Sequence, residues 1–251
     1  MGSSAQASKL SPFTLLTEPL LSFSPSNLDQ VDVHPLRGLL NFGPFSEGSF
    51  AGYSSRIRIA TVGPESAFKR RGELMASLRG SYRPSDRSEY VPPYPGFEAL
   101  FRVGLESAPK GAHIKWPNSM DQLPGEGDPQ ARLFLAMDAA LRRLEMVRND
   151  FDVVLVHLPD AWAPASRSRN FDAHDALKGL GAKYNIPTQV INDRAFTFQH
   201  KASLAWRLAI ALYVKASGTP WKLAPLKGIP ADTGRRRKLS ATPDLSGTVL
   251  S

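Results

Sequence analysis

The sequence predicts an α/β protein in which helices flank a parallel sheet, preceded by an extended N-terminal segment. Short apolar runs such as FDVVLVHLP at 151–159 are typical of parallel strands that are buried on both faces. They alternate with longer segments whose apolar residues recur at helical spacing. Because alternation of strand and helix is the mark of a parallel sheet, the domain is expected to be Rossmann-like.

In the first half of the chain, one strand and one helix are clear. Residues 1–30 are rich in Ser, Pro and Leu and are expected to be extended, and the Gly-, Pro- and aromatic-rich residues 31–55 are expected to form a structured loop or a short strand. RIRIATVG at 56–63 predicts a strand that enters the core. A helix is predicted over 66–78, and residues 80–127 are predicted to be irregular.

The second half continues the alternation. Asp128 is a good helix N-cap, and Pro129 suits the first helical position, so a helix is predicted to begin there. After the strand at 151–159, the pattern predicts a helix from about residue 172, a strand at 186–191, a helix at about 201–216 and a last strand at 219–227.

Composition excludes several classes of protein. The chain has 251 residues, of which 42% are hydrophobic, so it can bury a sizeable core. It has no apolar run of the ~18 residues that a membrane helix needs, and its first residues lack the pattern of a secretory signal. The absence of cysteine excludes disulfides, thiolate metal sites and cysteine nucleophiles. These features lead us to expect a cytoplasmic protein.

The formal net charge of +8 and the pI of about 9.8 indicate a polyanionic partner, most often nucleic acid, although a merely soluble basic protein fits them too. Residues 232–251 have no periodic apolar face and are expected to form a disordered basic tail. Without this segment the charge is still +6, so the basic character belongs mainly to the rest of the chain. The tail contains a basic run that either touches nucleic acid or is simply solvated: Arg235, Arg236, Arg237 and Lys238.

A possible phosphate site lies in HDALKGLGAKYNIPTQVIND at 174–193. His174 and Lys178 lie one helical turn apart, beside the apolar stripe, and Gln189 follows in the next strand. Lys215 lies on a leucine row of the following helix, where it either extends past the helix end or meets an anion. Such donors suit a terminal phosphate. The same spacing also fits an ordinary solvated helix face.

These residues and the phrases around them resemble the MID domain of Argonaute proteins, specifically the short prokaryotic Argonautes. The resemblance covers residues 15 to about 230. It is carried by HDALKGLGAKYNIPTQVIND and by four further phrases: YVKASGTPWKL, FDVVLVHLPDAW, HPLRGLLNFGPFS and YPGFEALF. It implies that His174 contacts the first nucleotide of a single-stranded RNA or DNA guide. Lys178, Gln189 and Lys215 would then hold the 5′-phosphate of that guide.

The resemblance also implies a domain division and partners. The divisions are an N-terminal extended or loop segment (1–55), the MID-like domain (56–218), the first strand of a PIWI domain (219–231) and the tail (232–251). Short members of the family combine MID with a PIWI domain that has lost its catalytic carboxylates. They recognise invading DNA through guide–target pairing and act with a separate effector of TIR, sirtuin-like or nuclease type.

The tail matches nothing in that family, so we expect a C-terminally truncated or frameshifted chain. Truncation would remove the family's C-terminal carboxylate, which in many members helps bind a metal beside the guide phosphate. No metal ligands are therefore assigned, and Mg²⁺ at the 5′-phosphate is the one cofactor considered.

We expect a protein that is not an enzyme, because neither a PIWI carboxylate cluster nor a GxGxxG, P-loop or HExxH motif is present. His157 ends a buried strand where α/β sites often lie, but it is also readily explained as a core or edge residue. Two alternatives stay open. One is an α/β protein or enzyme that binds a small phosphorylated metabolite, and the other is an inactive fragment whose exposed sheet edge promotes aggregation.

Overall fold

The structure is a computed structural model that describes residues 18–47, 55–85, 88–117, 120 and 127–225. Its strands are β1 (Leu21–Ser22), β2 (Val31–Asp32), β3 (Arg56–Gly63), β4 (Gly104–Ser107), β5 (His113–Lys115), β6 (Val153–His157), β7 (Thr188–Ile191) and β8 (Lys222–Leu223). Its helices are α1 (Pro35–Phe42), α2 (Phe68–Ser77), α3 (Phe97–Phe101), α4 (Pro129–Glu145), α5 (Ala163–Ser166), α6 (Ala173–Lys183), α7 (Arg194–Thr197) and α8 (Lys201–Lys215). The predicted tail lies outside the described residues.

The main sheet has five strands in the order β4-β3-β6-β7, with β5 also paired to β3. All of these pairings are parallel. β4 lies along the first half of β3 and β5 along its second half, so the two short strands together form one edge. β7 forms the other edge. The predicted α/β class with a parallel sheet is confirmed.

Both faces of this sheet are covered. Along β3, Ala60 and Val62 pack into one apolar cluster, which contains residues of α4 and α6. Ile57 and Ile59 point to the opposite face and pack into a second cluster, which contains residues of α2, α3 and α8. This two-sided burial explains why β6 is apolar at nearly every position, since all five of its residues are buried.

The helix α1 corrects the expectation of a loop or short strand around residues 35–42. His34 caps it by accepting a hydrogen bond at Nδ1 from the Arg37 backbone N–H, at 3.2 Å, and Pro35 takes the first position. Gly38 lets the helix lie directly on the Phe23 ring, because an added Cβ would come within 2.1 Å of that ring. The sequence hides this helix, since the proline and glycine that suit it also mark loops.

Strands β4 and β5 correct the expectation that residues 80–127 are irregular. Each is only a few residues long and carries polar side chains, as in GLES and HIK. Neither has the apolar run or the alternation that identifies a strand in sequence. They form strands because they pair with β3, and their own residues do not encode that pairing.

A second, antiparallel sheet joins distant parts of the chain in the order β2-β1-β8. Leu21 pairs with Leu223, and Ser22 pairs with Lys222. The domain division at residues 55, 218 and 231 stays a prediction. Among the helices that the structure describes, none has the length and apolarity needed to cross a membrane.

Candidate functional site

Helix α6 carries two of the four predicted phosphate-binding residues. The Asp172 side chain caps it by accepting hydrogen bonds from the backbone N–H groups of His174, at 2.8 Å, and Asp175, at 3.3 Å. The first of these bonds is the main reason why the pKa of Asp172 lies below its usual value. The cap therefore fixes where the helix begins, and it places the His174 side chain in the first turn.

His174 and Lys178 are both exposed, and both lie beside the same carboxylate. The His174 Nδ1 is 3.7 Å from an Asp175 carboxylate oxygen, and the Lys178 Nζ donates to that oxygen at 3.2 Å. Ion pairs as exposed as these contribute little stability, about 0–1 kcal/mol. A stronger anion can therefore compete with Asp175 for these two side chains.

Gln189 lies in β7 and is half-buried, and its side-chain N–H donates to the Val190 carbonyl at 2.9 Å. His174 and Gln189 line one cavity of about 440 Å³, which we call the β7–α8 cavity. The rest of its lining comes from the end of β7, from α7 and from α8: Val190, Ile191, Asn192, Arg194, Ala195, Phe198, Leu204, Arg207 and Leu208. The structure therefore brings His174 and Gln189 to one cavity.

Lys215 ends α8 and is half-buried. Burial is the main reason why the pKa of its ammonium group is lowered, and repulsion from Lys178 lowers it further. Lys178 and Lys215 are therefore near enough to interact, although neither lines the β7–α8 cavity. The four predicted residues therefore form two pairs: His174 and Gln189 line the cavity, and Lys178 and Lys215 lie outside its lining.

A glycine controls how closely α6 approaches β7. The Gly181 carbonyl accepts a hydrogen bond from the Ile186 backbone N–H at 2.8 Å. A Cβ built on Gly181 would lie 2.8 Å from the Ile186 carbonyl oxygen, which is a backbone atom and cannot move aside alone. Because α6 carries His174 and β7 carries Gln189, this close packing sets the distance between the two halves of the site.

Two arginines of the β7–α8 cavity do not appear in the sequence-based prediction. Arg207 is exposed on α8, and Arg194 begins α7, with its Nε 4.0 Å from an Asp160 carboxylate oxygen. Their place beside His174 depends on how α7 and α8 pack over β7. The spacing of Arg207 and Lys215 on one helix was the available signal, but eight residues is only slightly more than two turns and points to no ligand by itself.

Asp193, which directly precedes α7, links that helix to the carboxyl end of the inner strand β6. One of its carboxylate oxygens lies 3.2 Å from the His157 Nε2 and 3.5 Å from the Arg70 guanidinium, and the other accepts from the Asp160 backbone N–H at 2.9 Å. His157 is almost fully buried. Burial is the main reason why its pKa is lowered, so the ring is neutral near neutral pH. His157 is therefore a core residue that holds Asp193, in line with the plainer of the two interpretations.

One group of side chains near the start of α6 has the composition of a cation site. Ligand atoms of Asp172, His174 and Asp175 lie within 4.8 Å of one another. Carboxylate oxygens are the ligands that Mg²⁺ prefers, whereas imidazole suits other metals better. The two aspartates therefore fit Mg²⁺, with the remaining ligands left to water or to a bound anion.

Comparison with known proteins shows that this chain is similar in sequence to an Argonaute protein. A protein named Protein argonaute, from Cereibacter sphaeroides (strain ATCC 17025 / ATH 2.4.3), is 28% identical over 205 residues. The match covers 77% of this chain and 23% of that protein. No protein-family model matches the chain. The resemblance to Argonaute inferred from the motifs is confirmed by this match, and the chain spans about a quarter of the relative's length.

Solved structures of Argonaute proteins are also similar to this chain. The crystal structure of Aa-Ago with externally bound siRNA is 16% identical, has a TM-score of 0.49 and is matched over 84% of this chain and 25% of its own. The crystal structure of A. aeolicus Argonaute gives 16% identity and a TM-score of 0.48 over 84% of this chain and 24% of its own.

Proposed function

We propose that this chain is a non-catalytic nucleic-acid-binding module similar to the Argonaute MID domain, which anchors the 5′-phosphate end of a single-stranded guide. The observation that carries the proposal is the cavity that His174 and Gln189 share, with Lys178 one helical turn from His174 and with Lys215 at the end of α8, whose residues also line that cavity. These lysines come from different helices, and their mutual repulsion adds to the cost of burying one of them. A bound polyanion would interact favourably with both ammonium groups, and so offset the burial of Lys215 and its repulsion by Lys178.

A terminal phosphate suits this arrangement. It carries about −1.5 to −2 charges at neutral pH and offers three strong acceptor oxygens. Each charge-assisted hydrogen bond from Lys178, Lys215 or the Gln189 amide would contribute roughly 1.5–3 kcal/mol. The His174 ring offers a surface for the first base, where stacking on an aromatic side chain contributes ~1–3 kcal/mol.

The β7–α8 cavity supports a nucleotide-sized ligand. Its volume of about 440 Å³ lies within the range of roughly 300–1,000 Å³ that is typical of small-molecule sites. Arg194 and Arg207 add positive charge along its rim, and the chain as a whole carries a net charge of +8. The phosphate backbone of a nucleic-acid strand would be bound largely by these positive charges, so affinity should fall steeply as the salt concentration rises.

We propose Mg²⁺ as an ion that Asp172 and Asp175 would hold. Without it, Asp172 and Asp175 would repel a phosphate brought to His174 and Lys178. An Mg²⁺ ion held by the two carboxylates would supply a positive charge to the phosphate oxygens. If so, Mg²⁺ should tighten binding of 5′-phosphorylated strands, and Asp175→Asn should remove that gain. An unchanged affinity with and without Mg²⁺ would eliminate the ion from the proposal.

Wider roles rest on the resemblance to Argonaute. We propose that an anchored guide directs the protein to complementary target DNA from invaders, in the cytoplasm, and that a separate effector protein acts on the result. The chain spans 23% of its curated relative, so target pairing and effector docking would depend on surfaces beyond this domain.

One binding experiment tests the central claim. Short single-stranded RNA and DNA oligonucleotides, each with a 5′-phosphate or a 5′-hydroxyl, are titrated against the protein at several salt concentrations. We expect the 5′-phosphate to raise affinity about tenfold or more and the affinity to fall with salt. Equal affinity for both ends would overturn the guide-anchoring proposal. Tight, salt-insensitive binding of mononucleotides with no gain from longer strands would instead favour a small phosphorylated metabolite.

A further inference from the structure

A second cavity adjoins the β7–α8 cavity. It encloses about 220 Å³ between α2, α7 and the start of α8, and we call it the Tyr82 cavity. The two cavities share Ala195, Phe198 and Leu204 as lining residues, so they are neighbours on one surface of the protein. Phe198 is 38% exposed and lies where they meet.

The Tyr82 cavity combines aromatic rings with cations. The Lys201 Nζ lies 6.0 Å from the centre of the Tyr82 ring, and the Arg70 guanidinium lies 4.9 Å from the centre of the Phe196 ring. Phe198 adds a third ring to the lining. Aromatic faces interleaved with basic side chains are the arrangement with which proteins hold single-stranded nucleic acid, the rings stacking on bases and the cations meeting phosphates.

The size and the remaining polar groups favour one base over a whole nucleotide. At about 220 Å³ the cavity is smaller than the roughly 300 Å³ at which typical small-molecule sites begin. Its floor is apolar, with Leu74, Leu78 and Ala205. Glu73 offers carboxylate acceptors, and the Ser77 hydroxyl, which donates to the Leu74 carbonyl at 2.7 Å, keeps acceptor lone pairs for the amino group of a base.

We propose that the Tyr82 cavity binds the base of the nucleotide that follows the 5′-terminal one. This rests on the proposed function, because it assumes that the 5′ end occupies the β7–α8 cavity. The nucleic-acid strand would pass Phe198. The phosphate of its second nucleotide would lie near Arg70 and Lys201, and the base of that nucleotide would lie against Tyr82. The module would then hold two successive nucleotides through separate cavities.

The test compares ligands of increasing length. Affinities are measured for cytidine and deoxycytidine 5′-monophosphates and for their 5′-phosphorylated di- and trinucleotides. The proteins are the wild type, Tyr82→Leu, Lys201→Ala and the control Phe134→Leu. Phe134 is an aromatic residue that, like Tyr82, keeps part of its side chain at the surface, but it lies on α4, which covers the other face of the sheet.

We expect the dinucleotide to bind roughly tenfold more tightly than the mononucleotide, in line with the free energy of stacking one base. Tyr82→Leu should remove most of this gain while leaving mononucleotide affinity in place, and Phe134→Leu should preserve the gain. Lys201→Ala, an exposed substitution that should not disturb folding, should reduce the gain severalfold.

The outcomes separate the two proposals. If the wild type does not bind the mononucleotide, the proposed function fails and this inference falls with it. If the mononucleotide binds but the dinucleotide binds no more tightly, only the Tyr82 cavity is eliminated. A dinucleotide gain that survives both Tyr82→Leu and Lys201→Ala would also overturn it.

Discussion

Lys178 on α6 and Lys215 at the end of α8 lie near enough that, after burial itself, the charge of Lys178 is the second cause that lowers the pKa of Lys215. The two residues belong to helices on opposite sides of β7 in the sequence, so the fold is what brings them together. Like charges on rigid elements are costly to hold close. An anion bound between them would offset this repulsion.

Replacing Lys178 should weaken the recognition of the 5′ end. Lys178→Ala removes one charge-assisted hydrogen bond, which corresponds to about 1.5–3 kcal/mol or roughly a ten- to hundredfold loss of affinity for 5′-phosphorylated oligonucleotides. Lys110→Ala is the charge-matched control, since Lys110 is exposed beside β5 at the far edge of the sheet from β7. Fluorescence anisotropy with both 5′ ends measures the effect. A loss that is the same for 5′-hydroxyl strands, or for Lys110→Ala, would contradict the assignment.

Replacing Lys215 should stabilise the protein while impairing binding. Because the folded state lowers the pKa of Lys215, it disfavours the charged form, and that cost is present below the lowered pKa. Stability should therefore rise as pH increases through the lowered pKa toward the ordinary value of 10.5. Lys215→Met should raise the free energy of unfolding at neutral pH and lose this advantage in alkali. Urea unfolding at several pH values gives the comparison, and an advantage that persists above 10.5 would point to packing instead.

Two glycines of α6 should respond in opposite ways to alanine. Gly181→Ala places a methyl group against the Ile186 carbonyl and should cost about 1–3 kcal/mol of stability, as overpacking does. Gly179→Ala meets no atom within 4 Å and should stabilise the helix by about 0.5–1 kcal/mol. Urea unfolding of both variants measures the difference. We also expect Gly181→Ala to weaken 5′-phosphate binding, because it moves α6 away from β7.

Asp138 should make the contact between α4 and α6 sensitive to acid. Its carboxylate accepts hydrogen bonds from the Tyr184 hydroxyl at 2.7 Å and from Lys183 at 3.0 Å. The first bond is the larger cause that lowers the pKa of Asp138 to about 2. A carboxyl group whose pKa is lowered in the folded state stabilises that state at pH values above its ordinary pKa of 3.8. This contribution is lost as the pH falls toward about 2.

Asp138→Asn should therefore unfold more readily than the wild type above pH 3.8, and the two should converge toward pH 2. Glu145→Gln, at the exposed end of the same helix, is the matched control. Circular dichroism during acid titration follows both variants. A constant difference between wild type and Asp138→Asn over this range would show that the carboxylate charge is not the cause.

The elements that could be predicted are those whose own residues determine them. Asp128 and Pro129 begin α4 as the capping pattern predicts, and Asp128 accepts from the Gln130 backbone N–H at 2.9 Å. The apolar run 151–159 contains β6, because a strand that is buried on both faces is apolar at nearly every position. By contrast, β4 and β5 depend on β3 for their pairing, and α1 depends on the Phe23 ring beneath Gly38. No local pattern encodes such partners.

The candidate site divides in the same way. Helical spacing is enough to place His174 beside Lys178, and the αβ connection is enough to bring Gln189 near them. The positions of Arg207 and Asp193 follow from how α7 and α8 pack over the sheet, so the spacing along the chain does not reveal them. The roles of the four predicted residues stay predictions that the binding experiments will test.

The pairing of β1 with β8 has a consequence for the newly made chain. Leu21 can pair with Leu223 only after about 200 further residues have been translated. At ordinary synthesis rates of about 5–20 residues per second, this delay lasts on the order of ten to forty seconds. Throughout it, β1 has only β2 as a neighbour, and one row of its backbone N–H and C=O groups is open to any other strand. The ribosome-bound protein should therefore be prone to misassociation at β1, and a chaperone acting there would protect this strand until β8 is available.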